Sequence, residues 1–388
     1  MKTDKASSPQ ESPFTIGETI EIKIDDIAFG GEGVGHHNGI AVFVPFVAVD
    51  EIVEIEITEV KKNYARGRLL QLLTASEERI TPRCPHFTAC GGCQYQHLPY
   101  AVQLKAKHKQ LIDIFERIGG FPNPPIQSVV PSPAPFEYRN RILVRTQYSK
   151  RTKRMSVGFL RHDNRLVVDI EKCHIAEPAL NEQLQIVRED PPRKNGIKFN
   201  LRVMPEDWSL PPDSFFQVNY HLLPEMVATV RRYLEEAGTK HLLDIYCGAG
   251  FFCIEAADLV EGFTGVEIDK KAIQAARENA KARGHENGDF IASPAEEAIP
   301  RLINRYEADQ TTVILDPPRR GCAPNLLETL REHKPQQIIY VSCHPATLSR
   351  DLEELCRDGI YSLKTVTPLD MFPQTKHVEC ACDLRRNS

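Results

Sequence analysis

The stretch LLDIYCGAGFFCIEAA, residues 242–257, runs from an apolar strand-like segment through a glycine-containing turn into an apolar helical pattern. The same alternation continues on its C-terminal side, in GFTGVEI (262–268), KKAIQAARENAKARG (270–284), TTVILDPP (311–318), QIIYVSC (337–343) and LSRDLEELCRDG (348–359). Strands that alternate with helices form a parallel sheet with helices on both faces. We therefore predict an α/β domain over residues 215–388.

The glycine turn predicts a cofactor site. Gly248 and Gly250 let the backbone approach a ligand at the helix N-terminus. Cys253 ends the pattern where the dinucleotide fingerprint has its third glycine, which argues against NAD. Asp244 on the first strand and Glu267 at the end of the next favour S-adenosylmethionine, because a carboxylate after the second strand can bind both ribose hydroxyls. A purely structural turn is the alternative.

Two later strands end on residues that suggest the chemistry. LDPPRRG (315–321) follows an apolar strand, and the carboxyl ends of parallel strands face the ligand crevice, so we expect Asp316 near the reactants. A D-P-P motif at this place is typical of enzymes that methylate exocyclic amines of bases, which is one interpretation. The other depends on Cys343, which ends the next apolar strand at the same crevice.

Cys343 suits one reaction in particular. Carbon 5 of uracil is too weak a nucleophile to attack a methyl sulfonium, but thiolate addition at carbon 6 makes the ring an enolate that can attack. A helix N-terminus at about Thr347-Leu348 would help to keep the sulfur as thiolate. The carbon-5 proton then needs a base, for which Glu379 is preferred over His377. A structural cysteine and an ion-paired carboxylate are the alternatives.

The first half of the 388-residue chain has a different texture. Period-2 apolar runs over residues 14–75, separated by glycine and asparagine turns, indicate a small OB-like β-barrel of a type that commonly binds nucleic acid. Residues 76–214 are predicted to form a β-rich central domain. Its segment 139–154 carries seven basic residues and no acid, so it could line a groove for phosphates although the net charge is −5. A solvated basic hairpin is the alternative.

Three cysteines lie close together in CPHFTACGGCQYQH (84–97). The spacing of Cys84, Cys90 and Cys93, flanked by proline and glycine, suggests metal thiolates. A zinc ribbon would need a second C-x-x-C unit, which the sequence lacks. The best fourth ligand is Cys173, and four thiolates suit a [4Fe–4S] cluster. Zinc and a metal-free arrangement stay open as alternatives.

In chain order these motifs, together with SFFQVN (214–219), VSCHPATLSRD (341–351) and DMFPQTKHVE (370–379), resemble the RNA uracil-5-methyltransferase family. The resemblance covers nearly the whole chain, because residues 14–75 are similar to a TRAM domain. It implies a Rossmann-like class I methyltransferase domain at 215–388, preceded by a TRAM barrel at 14–75 and a β-rich iron–sulfur domain at 76–214.

The resemblance also implies residue roles. Cys343 matches the nucleophile and Glu379 the base. The positions that match binding of S-adenosylmethionine are Gln217, Tyr246, Glu267 and Asp316. The positions that match ligands of a structural, RNA-facing [4Fe–4S] cluster are Cys84, Cys90, Cys93 and Cys173. His344 stands where asparagine is common and Pro318 where some members carry alanine, but neither change removes a group that the mechanism needs.

Family members with both a TRAM domain and the cluster mostly resemble the branch of the family that modifies large-subunit ribosomal RNA. We therefore expect 23S rRNA as the substrate, with transfer RNA as the alternative. The target uridine must be single-stranded or flipped from its stack. A 5-methylcytosine enzyme would place a Pro-Cys near D-P-P, whereas here Pro318 follows Pro317. An RNA-binding scaffold without methyl transfer would not need Cys343 or Glu379.

The N-terminal segment MKTDKASSPQESP (1–13) is polar and is expected to be a loose tail rather than a signal peptide. No apolar run in the sequence approaches the ~20 residues of a membrane span. We therefore expect a cytoplasmic protein that does not bind membranes and is a monomer.

Overall fold

The computed structural model describes residues 13–150, 153–192 and 194–387. Almost all of the expected N-terminal tail, and Arg151 of the basic segment, lie outside the described residues. The chain divides into two compact units, Met1–Ala106 with Gln374–Lys376, and Lys107–Pro373 with His377–Ser388. No helix within the described ranges is long and apolar enough to cross a membrane.

The first unit contains a six-stranded sheet in the order β1-β5-β6-β4-β3-β2. Its strands are β1 (Thr19–Lys23), β2 (Asp26–Ile27), β3 (Glu32–His37), β4 (Ile40–Pro45), β5 (Ile52–Val60) and β6 (Tyr64–Thr74). Alternate residues such as Val53, Ile55 and Ile57 are fully buried, as the period-2 pattern predicts. The predicted β-rich N-terminal region is therefore confirmed. The turns of residues 75–99 then lead to helix α1 (Tyr100–Arg117).

The second unit contains two sheets. The smaller one is antiparallel, in the order β10-β7-β8-β9. Its strands are β7 (Arg141–Ser149), β8 (Arg154–Leu160), β9 (Val167–Asp169) and β10 (Lys198–Arg202), and helix α2 (Pro178–Glu189) lies between β9 and β10 in the chain. Most of the basic segment forms the β7–β8 hairpin of this sheet.

The larger sheet has seven strands in the order β13-β12-β11-β14-β15-β17-β16. They are β11 (His241–Ile245), β12 (Gly262–Glu267), β13 (Gly288–Ala292), β14 (Thr311–Leu315), β15 (Gln337–Ser342), β16 (Tyr361–Leu369) and β17 (Glu379–Arg386). The helices among them are α3 (Leu223–Ala237), α4 (Phe251–Glu255), α5 (Lys270–Ala282), α6 (Ala295–Leu302), α7 (Pro324–His333) and α8 (Pro345–Cys356). The predicted α/β order is confirmed.

The direction of the strands determines where a site can form. Strands β11 to β15 are parallel, and every residue of β14 and β15 is buried, because helices cover both faces of a parallel sheet. Strand β17 runs antiparallel between β15 and β16. The start of β17 therefore lies at the same edge as the ends of the parallel strands. The strand order reverses at β11, which is where α/β sheets open a ligand crevice.

Candidate active site

The turn between β11 and α4 brings backbone to the edge of the sheet. Tyr246, Gly248 and Gly250 all have positive φ, at 66°, 54° and 85°. A Cβ built on Gly250 would lie 2.7 Å from Cδ1 of Ile254, so only glycine fits there, whereas a Cβ on Gly248 would meet nothing within 4 Å. Gly248 therefore borders open space, and a ligand there can approach its backbone closely.

Two carboxylates fix the shape of this turn. Asp244 is fully buried, and its Oδ2 accepts a hydrogen bond from the Cys253 backbone N–H at 3.0 Å. Its Oδ1 has no hydrogen-bond partner among the described residues. Glu267 accepts hydrogen bonds from the N–H groups of Gly248 at 3.3 Å and Asp269 at 3.0 Å. Burial, with a smaller effect of the Glu267 charge, raises the pKa of Asp244 to about 7. A buried acceptor without a partner at this strand fits a polar ligand.

Asp316 follows β14 directly, at the neighbouring strand end. Its backbone N–H donates to the Ile245 carbonyl at 3.3 Å, which joins it to the end of β11. Burial raises the pKa of this half-buried carboxyl, and the negative charges of Asp244 and Glu267 raise it further. Asp316 thus lies within electrostatic reach of both carboxylates of the glycine turn, and the three residues form one acidic group at the crevice.

The rest of the D-P-P loop is attached to α8. Cys322 donates its backbone N–H to Oδ2 of Asp351 at 2.8 Å, and the Thr347 hydroxyl donates to the Arg319 carbonyl at 3.0 Å. Gly321 has a φ of 81° and packs so closely that an added Cβ would lie 2.4 Å from Asp351. These contacts hold residues 316–322 in one conformation against the helix that follows Cys343.

The register between β15 and β17 explains how Cys343 and Glu379 meet. Ser342 pairs with Cys380, and continuing this antiparallel register by one residue sets Cys343 opposite Glu379. The Cys343 thiol is half-buried and the Glu379 carboxyl is buried. Two residues 36 positions apart in the sequence (379 − 343) are thus neighbours because β17 inserts beside β15.

The electrostatics of this pair differ from the expected thiolate. Burial raises the pKa of Cys343 to about 11, and the charges of Glu379 and Asp316 add to the effect. A hydrogen bond and the positive charge of Arg319 act in the opposite direction. Burial likewise raises the pKa of Glu379 well above its usual range, again with Asp316 adding and Arg319 opposing.

Burial and the neighbouring carboxylates act against the thiolate that a helix N-terminus is expected to favour. Helix α8 begins at Pro345, earlier than expected, and its N-cap is His344, whose ring accepts the Thr347 backbone N–H at 3.4 Å. A helix N-terminus thus follows Cys343, as expected.

Three other predicted residues have distinct surroundings. Gln217 is buried, and in the chain it lies between β10 and α3. The preceding residue, Phe216, packs against Phe251 of α4 with ring centroids 5.4 Å apart. Burial raises the pKa of Tyr246, whose hydroxyl also interacts with Cys322 of the D-P-P loop. His377 contributes its backbone carbonyl, which accepts a hydrogen bond from a lysine of α1 at 2.8 Å.

Arg319 is the functional candidate that our sequence analysis missed. It lies three residues after Asp316 in LDPPRRG, and its charge acts on both Cys343 and Glu379. Its position in a loop at the predicted crevice is a usable signal, because a cysteine that acts as a thiolate nucleophile needs a cation nearby. The predicted residues Asp316, Cys343 and Glu379 and the unpredicted Arg319 form one cluster.

The cysteine motif does not form a recognisable metal site. Cys84, Cys90 and Cys93 are half-buried thiols in the turns of the first unit, and Cys173 is a half-buried thiol between β9 and α2 of the second. The Gly92 N–H points to the Cys90 sulfur at 3.4 Å. Within residues 13–150, 153–192 and 194–387, no group of three or more His, Cys, Asp or Glu residues is arranged to hold a metal ion. The structure thus gives no support to the predicted cluster.

The basic segment contributes to a cleft of about 280 Å³ in the second unit. Its lining residues are Arg139, Arg141, Leu143, Asn200 and Val218. Nε of Arg141 donates to Oδ1 of Asn200 at 2.8 Å, and no carboxylate of the described chain forms an ion pair with Arg139 or Arg141. Two arginines without acidic partners make this cleft suitable for an anion.

Comparison with known proteins agrees with these observations. The family model for tRNA (uracil-5-)-methyltransferase matches residues 193–387, and the model for the TRAM domain matches residues 13–70. An uncharacterized RNA methyltransferase of Nostoc sp. is 31% identical, over 96% of this chain and 98% of the relative. Another, from Synechocystis sp., is 30% identical over 95% of this chain and 96% of the relative.

Among solved structures, tRNA (uracil-54, C5)-methyltransferase of Pyrococcus abyssi in complex with S-adenosyl-L-homocysteine is similar, with a TM-score of 0.70 and 26% identity. The match covers 94% of this chain and all of that one. The expected class I methyltransferase fold with an N-terminal TRAM domain is thereby confirmed. The chain belongs to the RNA uracil-5-methyltransferase family, whose members are S-adenosylmethionine-dependent RNA methyltransferases.

Proposed function

We propose that the protein methylates carbon 5 of a uridine in RNA by covalent catalysis, with Cys343 as nucleophile and Glu379 as base. The observation that carries this proposal is the cluster of Cys343, Glu379, Arg319 and Asp316 at the ligand edge of the seven-stranded sheet. An amine methyltransferase would need the D-P-P carboxylate but would have no use for a thiol paired with a second carboxylate.

The glycine turn would hold the cofactor, with Gly248, Glu267 and Asp316 nearest to it. Gln217 and Tyr246 complete the proposed set. S-adenosylmethionine, when bound, supplies the methyl group to be transferred. The unpartnered Oδ1 of Asp244 and the open space beside Gly248 support this assignment, since both suit a polar ligand at the end of β11.

Cys343 would attack carbon 6 of the uracil ring. The pKa of Cys343 is about 11, so the thiol is protonated at neutral pH and must lose its proton before it attacks. Its half-buried position allows it to release this proton to solvent. Arg319 then stabilises the sulfur anion by charge and by hydrogen bonding. The new sulfur–carbon bond moves the ring electrons onto the carbon-4 oxygen, which makes carbon 5 nucleophilic.

Glu379 would complete the reaction after carbon 5 has been methylated. Its carboxylate takes the carbon-5 proton, the carbon 5–carbon 6 double bond forms again, and the electron pair of the sulfur–carbon bond returns to Cys343. With its pKa raised by burial, Glu379 must first be ionised, with its proton released to solvent, to act in this step. Once ionised, it is a stronger proton acceptor than a carboxylate in water, which supports this role.

Glu379→Gln tests the mechanism directly. Glutamine keeps the size of the side chain but cannot accept the proton, so a covalent protein–RNA adduct that carries the methyl group should accumulate. The matched control is the double variant Cys343→Ala/Glu379→Gln, which should form no adduct. Full turnover by Cys343→Ala would overturn the covalent mechanism in favour of the amine methyltransferase.

Large-subunit ribosomal RNA, 23S rRNA, is the proposed substrate, because this chain combines a TRAM domain with the four-cysteine pattern. Transfer RNA is the second candidate, favoured by the similarity to an enzyme named for uracil 54 of tRNA. Unmodified 23S rRNA and bulk transfer RNA should be incubated separately with labelled S-adenosylmethionine and the nucleosides identified. 5-Methyluridine in only one RNA assigns the substrate.

The RNA would contact surfaces outside the methyltransferase domain. We assign domains at 14–75 (TRAM), 76–214 (central) and 215–388 (methyltransferase), with RNA backbone bound by the first two. Arg139 and Arg141 support this assignment, since the cleft they line offers guanidinium groups without acidic partners. Replacing both by glutamine should weaken RNA binding and flatten its salt dependence.

We also retain a [4Fe–4S] cluster on Cys84, Cys90, Cys93 and Cys173 as a proposal. Its support is the donor chemistry, four partly exposed thiols with a backbone N–H directed at one of the sulfurs. No step of methyl transfer depends on it. Protein purified without air should contain four iron and four sulfide per chain. Stoichiometric zinc without iron would overturn this proposal.

A further inference from the structure

A buried lysine holds the connection that leads to Glu379. This connection, residues 370–378, joins β16 to β17. The two residues that flank it, Leu369 and Glu379, pair with each other in the sheet. The lysine is Lys107 of α1. Its Nζ donates to Oδ1 of Asp370 at 2.5 Å, to the Phe372 carbonyl at 3.1 Å and to the His377 carbonyl at 2.8 Å. One ammonium group thus binds two residues near the start of the connection and one near its end.

The environment of this ammonium is unusual for a lysine. The side chains of Lys107 and Asp370 are both 0% exposed. Three acceptors use the full donor capacity of an ammonium group. Burying a charged pair is costly, and a well-packed apolar pair of similar volume is often as stable. Stability alone therefore does not explain why an ion pair is buried here. An apolar pair could not donate the two hydrogen bonds that Lys107 donates to backbone carbonyls.

Lys107 can influence Glu379 only through geometry. The raised pKa of Glu379 results from burial and from Asp316, with Arg319 opposing, and Lys107 is not among these causes. His377, by contrast, is only two residues before Glu379, and Lys107 binds its carbonyl. A change in the path of the connection therefore moves the Glu379 carboxylate relative to the Cys343 sulfur.

We propose that Lys107 is a positioning residue for the reaction, which sets the Glu379 carboxylate against Cys343 by fixing the connection between β16 and β17. This inference rests on the proposed role of Glu379 as the base. It predicts that loss of the lysine slows proton removal, the step that Glu379 performs, more than it slows sulfur addition by Cys343.

The test uses a double variant, because Lys107→Met alone would leave the Asp370 carboxylate buried without its cation. Lys107→Met/Asp370→Leu removes the whole ion pair and keeps apolar volume. We expect it to fold, to bind S-adenosyl-L-homocysteine as the wild type does, and to lose turnover on the order of 100-fold, since small misplacements of reacting groups cost about that much. Methylated covalent adduct should accumulate, and the pH at half-maximal activity should not move.

Two control variants separate placement from charge and from general damage. Lys109→Met removes an exposed ion pair to Asp113 from the same helix and should behave as wild type. Asp370→Asn keeps an acceptor for Lys107 and leaves both carbonyl contacts intact. It also leaves the buried ammonium without its counter-charge, so we expect lower stability than the wild type but most of the turnover per folded molecule. Should the double variant not fold, Lys107→Gln/Asp370→Asn gives the same readouts, because an amide has only two donors for the three acceptors.

The outcomes are distinct. A folded double variant with normal turnover, or one that loses methylation without forming adduct, would overturn the positioning role. So would Asp370→Asn if it lost as much turnover per folded molecule as the double variant, because charge and not placement would then matter. Glu379→Gln is run in parallel. If Glu379→Gln traps adduct and the Lys107 double variant does not, only this inference fails, whereas if Glu379→Gln traps none, the proposed mechanism fails with it.

Discussion

Replacing Arg319 by methionine tests the electrostatics of the proposed nucleophile. Arg319 is the cation that lowers the pKa of Cys343, against burial and against Glu379. A unit charge at about 4 Å contributes roughly 1 kcal/mol in water and about 4 kcal/mol at an effective dielectric constant of 20. Because Arg319 is exposed, solvent screens it and the lower value applies. We expect Arg319→Met to reduce the thiolate fraction of Cys343 about five- to tenfold at any pH below its pKa.

The assay is the rate at which iodoacetamide alkylates Cys343 between pH 7 and 10, followed by mass spectrometry of the peptide that contains it. The thiolate is the reactive form and the pKa is about 11, so the wild-type rate should rise about tenfold per pH unit over this whole range. Arg319→Met should show the same slope on a line displaced to lower rates. Arg320→Met, which removes a neighbouring exposed arginine, is the matched control and should leave the rate unchanged.

Two results would refute this reasoning. A wild-type rate that levels off below pH 9 would mean that the thiol ionises far more easily than its burial beside Glu379 implies. An Arg319→Met variant alkylated as fast as the wild type would mean that the guanidinium does not act on the sulfur, and another group would have to stabilise the anion during attack.

Two further predictions concern the loop and the cofactor site. Gly321→Ala should destabilise the protein by about 1–3 kcal/mol more than Gly196→Ala, as measured by urea unfolding, because both glycines have positive φ but only at Gly321 would the new Cβ collide with Asp351. Equal losses would show that the loop can shift away from α8. Glu267→Gln should weaken binding of S-adenosyl-L-homocysteine about tenfold in isothermal titration calorimetry, since a charged acceptor becomes a neutral one, while alkylation of Cys343 stays as in wild type. Unchanged affinity would remove Glu267 from the cofactor site.

The order of elements in the α/β domain could be predicted from the sequence, because strands that are buried on both faces have a recognisable sequence pattern. Strands such as β14 and β15 are continuous apolar runs, and the residues that follow them, Asp316 and Cys343, necessarily lie at the ligand edge of a parallel sheet. The strands of the TRAM region could be predicted equally well. Its sheet has one buried face, so apolar residues alternate with polar ones along each strand.

The neighbours of each residue could not be predicted in the same way. Nothing in the pattern of residues 361–386 shows that β17 lies between β15 and β16, so the sequence indicates Glu379 by its chemistry and by the family resemblance, but not by its position in the sheet. The raised pKa of Cys343 has the same origin, because burial and nearby carboxylates depend on the fold. Lys107 resembles any lysine of an amphipathic helix until the connection that surrounds it is known.

The place of β17 in the sheet also has a consequence for synthesis. Strands β15 and β16 both precede β17 in the chain, so β17 enters the sheet between two strands that have already been made. Until then β15 and β16 expose unpaired backbone edges, and an incomplete chain is prone to associate through them. Because the proposed base, Glu379, lies on β17, a chain in which β17 has not yet entered the sheet lacks the carboxylate beside Cys343. Under the proposed mechanism, assembly of the sheet and the start of activity therefore coincide.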